Sequence, residues 1–416
     1  MYEWSDTELA IRDAIRDFVN AEIRPHADAL ESGELPPYEL IRKLFSTFGI
    51  DAMMADSFDK RIAKEKSGAA AGGSGGTSDA ADDAESNGSS DDAMQLLLSI
   101  ELTKVAMGIT AAMGVSMGLA GGTIMSRGSV EQKERWARDL MTFAKVGAWA
   151  ITEPNSGSDA FGGMTTTVRP EGDGYVLNGE KTFITNGPYA DTAVVYAKLD
   201  DGTNDDKRRR PVLTFVLDKG MDGFTQSKPF KKMGIHSSPT GQLFFSDVYL
   251  EPDRLLTGGS GEGASDGRES ARSNFTTERV GIAAMSLGVI EECLSLCIDY
   301  AKNRELWGQK IGDFQLIQLK LANMEVARQN VQNMVFRTIE LRRAGKTPTL
   351  AEASAMKYYS SQAATEVAME AVQLFGGNGY MSEYRVEQLA RDAKSLMIYA
   401  GSNEVQITHV ARGLLS

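Results

Sequence analysis

Between residues 148 and 257 the helix-type spacing of apolar residues gives way to short alternating strands and then returns. This double switch constrains the fold more than any other feature of the chain. Upstream, Ser5 and Glu8 form a capping-box pattern, and Leu9, Ile11, Ala14, Ile15, Phe18, Val19 and Ile23 follow at helical spacing. Pro25 is expected to close that helix, and a second to begin near Pro36-Pro37. Residues 67–92 are made almost entirely of Gly, Ala, Ser and Asp. Such a tract offers too little apolar surface to offset its ordering entropy, so a disordered surface loop is expected there. Helical patterning resumes from Met94, and Ile109–Gly122 is rich in Ala, Gly and Met, which suits close helix–helix contact.

In the middle segment Thr, Val, Tyr and Phe alternate with polar residues, and turn signals recur at Glu171–Gly174, Asn178-Gly179, Asn186-Gly187-Pro188 and Asp200–Gly202. That spacing predicts a small β-barrel or sandwich. Gly258–Gly267 reads as a flexible joint. From Thr276 the pattern is that of long helices, one capped by Thr349 with Glu352 and ended by Gly376-Gly377. The expected fold class is α+β, in three domains: helices over 1–147, a β domain over 148–257, and a four-helix bundle over 268–416.

At 416 residues the chain is too long for a single core. Its formal charge of −13 argues against nucleic acid or an anionic membrane as partner. The basic run Lys207–Arg210 follows two aspartates and reads as a solvated loop. Cys293 and Cys297 share a helical face and read as small buried hydrophobes; with three histidines distant in sequence, no metal site is expected. Two cysteines make no disulfide framework, which fits a reducing cytosol. The N-terminus lacks a basic region followed by an apolar run, and no stretch reads as a membrane span, so a cytoplasmic protein is expected.

Five segments carry chemistry. They are Trp149–Asp159 (WAITEPNSGSD), Leu177–Asn186 (LNGEKTFITN), Lys232–Ile235 with Ser238-Pro239-Thr240, Glu278-Arg279 through Asn303-Arg304 to Gln315, and Gln373–Gly413. Glycine and serine in the first expose backbone N–H groups and add hydroxyls, a suitable surface for carbonyl or phosphate oxygens. The same residues also make ordinary turns. In order and spacing the five segments closely resemble the acyl-CoA dehydrogenase family of flavoenzymes, and with the helical framework they cover nearly the whole chain.

The resemblance implies FAD as cofactor. It assigns FAD contacts to Trp149, Ile151, Thr152, Gly157, Ser158, Phe183, Thr185, Arg304, Trp307, Gln315, Gln373, Gly377, Ser402 and Glu404, several of them acting on the cofactor of a neighbouring subunit. Phe183 would flank the isoalloxazine ring, Thr185 would donate near its N5, and Arg304 would grip the pyrophosphate. Ser158, Arg279, Tyr399 and Gly401 correspond to substrate contacts. The resemblance further implies an acyl-CoA substrate, an electron-transfer flavoprotein as partner, and a homotetramer.

One departure bears on the reaction. Many members read Tyr-Glu-Gly-Thr where this chain has Tyr399-Ala400-Gly401-Ser402, and that glutamate is their usual base. The backbone N–H at Ala400, which would hold the thioester oxygen, survives the change; the carboxylate does not. Relatives acting on isovaleryl-CoA and on long chains instead carry a glutamate before an arginine on an earlier helix. Glu278-Arg279, leading into Val280–Ala284, matches that arrangement. Partial burial there would raise the pKa of Glu278 toward a useful value. The expected reaction is α,β-desaturation with Glu278 as base, Arg279 ordering the site, and a lean toward branched, cyclic or longer acyl groups. An oxidase using dioxygen and an inactive flavin-binding relative remain open.

Overall fold

A computed structural model describes residues 2–70, 84–258 and 267–415. The helices of the first part are α1 (Asp6–Phe18), α2 (Ala27–Ser32), α3 (Tyr38–Phe48), α4 (Ile50–Ala70), α5 (Ala84–Met113), α6 (Gly122–Arg127), α7 (Val130–Gln132) and α8 (Arg138–Met141). The Ser5–Glu8 capping box is formed in both directions. Pro25 does not end α1. Helix α1 passes into a π-helical turn at Val19–Ile23, and Pro25 sits in the first turn of a 3-10 segment, where its missing N–H costs nothing. The chain then continues helically through α2.

The tract expected to be a loop over 67–92 is helical at both ends: α4 runs to Ala70 and α5 starts at Ala84. The remainder of that expectation, 71–83, lies outside the described residues, as does most of the joint expected at Gly258–Gly267. Helix α5 is broken at Ala106 (φ −149°, ψ 85°) and passes into a π-helical stretch at Gly114–Gly121.

The central strands are β1 (Gly147–Ala150), β2 (Thr167–Glu171), β3 (Gly174–Thr185), β4 (Thr192–Leu199), β5 (Val212–Asp218), β6 (Phe224–Gln226) and β7 (Thr240–Leu250). They form one mixed sheet in the order β1-β4-β2-β3-β7-β6, with β5 on the other edge of β4. Strand β4 is buried on both faces. Val195 and Ala197 join a core with Val168, Leu177, Phe215 and Leu243, whereas Val194 and Tyr196 pack with Ile124, Trp136 and Leu140 from the helices. Burial on two sides explains its unbroken apolar run, the signature more often seen in parallel strands.

The last part holds α9 (Gly267–Asn303), a small hairpin of β8 (Glu305–Leu306) and β9 (Gln309–Lys310), α10 (Gln315–Arg343), α11 (Leu350–Phe375), α12 (Arg385–Leu396) and α13 (Asn403–Leu415). The middle of α9, residues 282–290, is buried on every side because Ile282, Leu287 and Ile290 share one core with α5, α10, α11 and α12. Ala93–Arg127 and Glu278–Asn303 are long and apolar enough to span a bilayer by composition, contrary to the sequence reading. Within the protein, however, 83% and 72% of those windows are buried. Both cysteines are buried free thiols.

Candidate active site

Helix α9 begins eleven residues before Glu278, earlier than the pattern suggested, because its start docks on the sheet. A Cβ at Gly267 would lie 2.7 Å from Thr214 Oγ1 and 3.1 Å from the Val212 carbonyl, so only glycine allows that approach. Glu278 therefore sits in the helix interior rather than in its first turn. Its carboxyl is partly buried and has no hydrogen bond or ion pair among the described residues. Burial pushes its pKa up to about 7, against the opposing charges of Arg279 and Lys357.

Arg279 is 4% exposed, and its Nε and Nη1 have no partner among the described residues. Its guanidinium lies 5.9 Å from the Phe275 ring, which in turn meets Trp149 edge-on at 5.8 Å. Trp149 donates to Thr123 Oγ1 at 3.2 Å. The helix carrying the candidate base is thus keyed to strand β1 through aromatic contacts.

Opposite, the turn between α12 and α13 brings Tyr399, Ala400 and Gly401 to the same place. Ala400 (φ 58°) and Gly401 (φ 83°) are both left-handed. For alanine that is a strained position, held only because its surroundings over-determine it. The Asn403 N–H donates to the Met397 carbonyl at 3.0 Å. Gln406 Nε2 donates to the carbonyls of Ala400 (3.2 Å) and Gly401 (2.8 Å), and Lys357 Nζ to Gly401 at 2.9 Å. The Ala400 N–H has no partner among the described residues. Gly401 lies close to Arg279, whose Nη2 would be 3.9 Å from a Cβ there. The Tyr399 hydroxyl points at Met285 Sδ (3.6 Å), and burial followed by the charge of Glu278 keeps it protonated.

The Glu153–Asp159 turn is fixed from beneath. Glu153 accepts from Lys181 Nζ (2.8 Å), the Thr165 N–H (2.6 Å) and the Thr166 N–H (3.0 Å), while Lys181 also donates to the Ile151 carbonyl (3.0 Å). The Thr152 carbonyl accepts from the Thr182 N–H at 2.8 Å, tying the turn to β3. Ser156 Oγ donates to the Asp159 carbonyl at 2.7 Å. These bonds leave Gly157 and Ser158 exposed on the outer rim, with nothing within 4 Å of a Cβ on Gly157. On β3, register with β7 shifts between Lys181 and Ile184, and Phe183 takes φ 57°. That bulge turns the Phe183 ring outward, 67% exposed, with an edge contact to Phe230 at 6.2 Å. Thr185 follows, paired with Thr240.

A second group of candidates lies far away. Arg304, Trp307 and Gln315 follow the far end of α9, about 37 Å along the helix from Glu278 at 1.5 Å per residue. Trp307 is 88% exposed at φ 53°, the tip of the β8–β9 hairpin. Gln373 and Gly377 share this end, since Phe375 stacks on Tyr300 at 4.0 Å and Asn378 donates to the Tyr300 hydroxyl at 3.0 Å. Ser402 and Glu404 lie at the start of α13, and hydrogen bonds from Glu404's own backbone N–H and then from Ser402 hold its carboxyl below the usual carboxylate range.

Comparison with known proteins decides the family. The model of the acyl-CoA dehydrogenase middle domain matches residues 148–248, and that of the acyl-CoA dehydrogenase C-terminal domain matches 265–415. The chain is 33% identical to an acyl-CoA dehydrogenase of Bacillus subtilis over 98% of each protein. It is 33% identical to the caffeyl-CoA reductase-Etf complex subunit CarC of Acetobacterium woodii over 97% of each. The structure of butyryl-CoA dehydrogenase from Megasphaera elsdenii superposes with a TM-score of 0.84 at 32% identity, covering 100% of both chains. The chain belongs to the acyl-CoA dehydrogenase family. It is an oxidoreductase with the fold of that family, as the motifs implied.

Within this acyl-CoA dehydrogenase fold, three side chains do work that the sequence reading did not assign. Lys181 appeared only as a letter within a motif, Gln406 as part of the C-terminal signature, and Lys357 not at all. A lysine on a long helix ordinarily reads as surface. The one cue for Lys357 is its position on a helix otherwise lined by Ala, Ser and Met.

Proposed function

We propose that this chain is an FAD-dependent acyl-CoA dehydrogenase that desaturates an acyl-CoA thioester between Cα and Cβ, with Glu278 as the base. The carrying observation is the juxtaposition of an unpartnered carboxyl, titrating near 7, with a free backbone N–H at Ala400. An α-proton is only weakly acidic. Its removal needs a desolvated carboxylate on one side and a donor for the thioester oxygen on the other. Glu278 takes the proton at one carboxylate oxygen; the Ala400 N–H donates to the thioester oxygen as charge develops there. Arg279, buried beside both, orders the carboxylate and the Gly401 turn.

The residues fit the cofactor that the family implies. Gly157 and Ser158 offer open backbone and a hydroxyl and Phe183 an exposed ring, while Trp149, Ile151, Thr152 and Thr185 lie on the strands and turn that carry them. When bound, FAD supplies the acceptor for the hydride leaving Cβ. Ser158, Arg279, Tyr399 and Gly401 are the substrate contacts in this reading.

The separation of Arg304, Trp307, Gln315, Gln373 and Gly377 from the base supports a role for them on the cofactor of a second subunit. Leu316, Leu319 and Val326 expose an apolar strip along α10 beside Trp307, which supports a contact between copies and the homotetramer reading. Likeness to a subunit of an Etf complex supports an electron-transfer flavoprotein as acceptor. Family models beginning at 148 and 265 support the three-domain division. A cytoplasmic location completes the reading.

The test is anaerobic addition of an acyl-CoA panel, varied in length and branching, to the yellow protein. At least one member should bleach the wild type, and Glu278→Gln should retain FAD yet stay yellow. Bleaching of Glu278→Gln at the wild-type rate would overturn the assignment of the base.

A further inference from the structure

The side chain of Lys357 lies wholly inside the protein, at 0% exposure, near the start of α11. Two of its three donors are spent on one short segment: the Gly401 carbonyl at 2.9 Å and Asn403 Oδ1 at 2.8 Å. Asn403 is itself fixed by Ser361, its Nδ2 donating to Ser361 Oγ at 3.1 Å. The bonds of Lys357 therefore converge on the peptide that follows Ala400, the residue whose left-handed backbone aims its free N–H. A buried ammonium is costly unless paired. No carboxylate forms an ion pair with Lys357 among the described residues, yet it is close enough to Glu278 for their charges to interact.

We propose that Lys357 is a positioning residue that clamps the Ala400–Gly401 turn and serves as the counter-charge opposite Glu278. The assignment rests on the reading of Glu278 as base and deepens it. It separates two jobs that a single cation performs: hydrogen bonds that fix the oxyanion donor, and a field that favours the ionised carboxylate. The charged groups around the pair come from two helices and the turn. Arg279 lies beside Glu278 on α9, Glu404 and His409 lie on α13, and Tyr399 lies in the turn. Arg279 opposes the lysine's own charge, whereas Glu278 and Glu404 support it. Burial draws its pKa down to about 8, so Lys357 remains cationic where Glu278 titrates.

Two variants divide the jobs. Lys357→Gln keeps a hydrogen-bond donor without charge, and Lys357→Met removes both. The readouts are the pH profile of flavin reduction in the holoenzyme and hydrogen exchange of the peptide spanning 398–406. For Lys357→Gln the acid limb should move up by about one unit, a tenfold loss of rate at pH 6, with exchange within twofold of wild type. For Lys357→Met the limb should move likewise, and exchange should rise about tenfold as the turn loosens. Should Lys357→Met not fold, Lys357→Gln still decides the matter. An acid limb unmoved in the soluble variants overturns the proposal. If the wild type itself is not reduced by any acyl-CoA, the reading of function fails instead. Exchange at 398–406 then tests the clamp alone, and unchanged exchange in Lys357→Met overturns it.

Discussion

Lys181 Nζ lies 2.8 Å from Glu153 Oε1 with both side chains closed off from solvent, directly beneath the turn that carries Gly157 and Ser158. Such a pair is weak evidence for stability while intact but expensive to break, because the surviving charge is left buried. Lys181→Met should therefore destabilise the protein by about 3–5 kcal/mol in urea unfolding. It should also weaken FAD retention by loosening the turn. A change below about 1 kcal/mol would mean that water or a neighbour replaces the lysine.

The same pair sets an acid limit. Burial alone would raise the pKa of Glu153, but the charge of Lys181 and the hydrogen bonds from Lys181, Thr165 and Thr166 bring it down to about 2. The folded value lies below the unfolded one. Its stabilisation is thus complete above about pH 4.5 and is lost as pH falls toward 2. Thermal melts of wild type should drop across that window, and those of Lys181→Met should drop less.

Glu278 has the opposite sign. Its raised pKa means that between about pH 4.5 and 7 the folded chain holds a proton that the unfolded chain has released. The carboxyl therefore costs stability as pH rises through that range. Glu278→Gln should stabilise the protein at pH 8 by on the order of 2–3 kcal/mol, and little at pH 4.5. Flavin reduction in the wild type should instead rise with pH through about 7, as the base ionises. The melting profile can be measured without substrate, so it tests the environment of Glu278 independently of activity.

Much of the candidate site's grouping was legible in the sequence, and what escaped has physical reasons. Glu278, Arg279, Tyr399, Ala400 and Gly401 stand out in short motifs, and the structure brings them together. The helix–strand–helix order followed from periodicity, since alternation and 3.6-residue spacing are hard to confuse over long runs. The early start of α9 escaped because Ser and Gly before Thr276 read as loop, while docking on β5 stabilises helix there. The outward turn of Phe183 depends on a register shift against β7, which no local pattern encodes. Lys357 escaped because its burial is decided by α9 and α13 closing over α11, not by α11 itself.

Ala400 offers a test of the oxyanion role that needs no new side chain. Its φ of 58° costs alanine roughly 1–2 kcal/mol and glycine almost nothing. Ala400→Gly should thus leave stability unchanged or slightly higher and keep flavin reduction within about threefold, because the donor is backbone. Ala400→Val retains the N–H but forces a β-branched residue into a left-handed conformation. It should lose stability and misaim the donor, with kcat falling about a hundredfold, the loss that accompanies removal of one oxyanion donor. Equal rates for the two variants would remove the turn from the mechanism.

The distance along α9 leads to a prediction about assembly. Arg304, Trp307 and Gln315 follow the end of α9 at Asn303, itself about 37 Å along the helix from Glu278 at 1.5 Å per residue. If they act on FAD as proposed, they do so across a subunit contact. Helix α10 exposes Leu316 at 74% and Leu319 at 56% next to that group, a strip a second copy would cover. Leu319→Asp should place an unpaired charge in that contact and split the assembly, as read by light scattering. Split subunits should release FAD, seen as flavin in the filtrate, even though every residue of the Phe183 rim is intact. Arg304→Ala should weaken FAD while leaving the assembly whole. A dissociated Leu319→Asp protein that keeps its FAD at full occupancy would return all the cofactor contacts to a single chain.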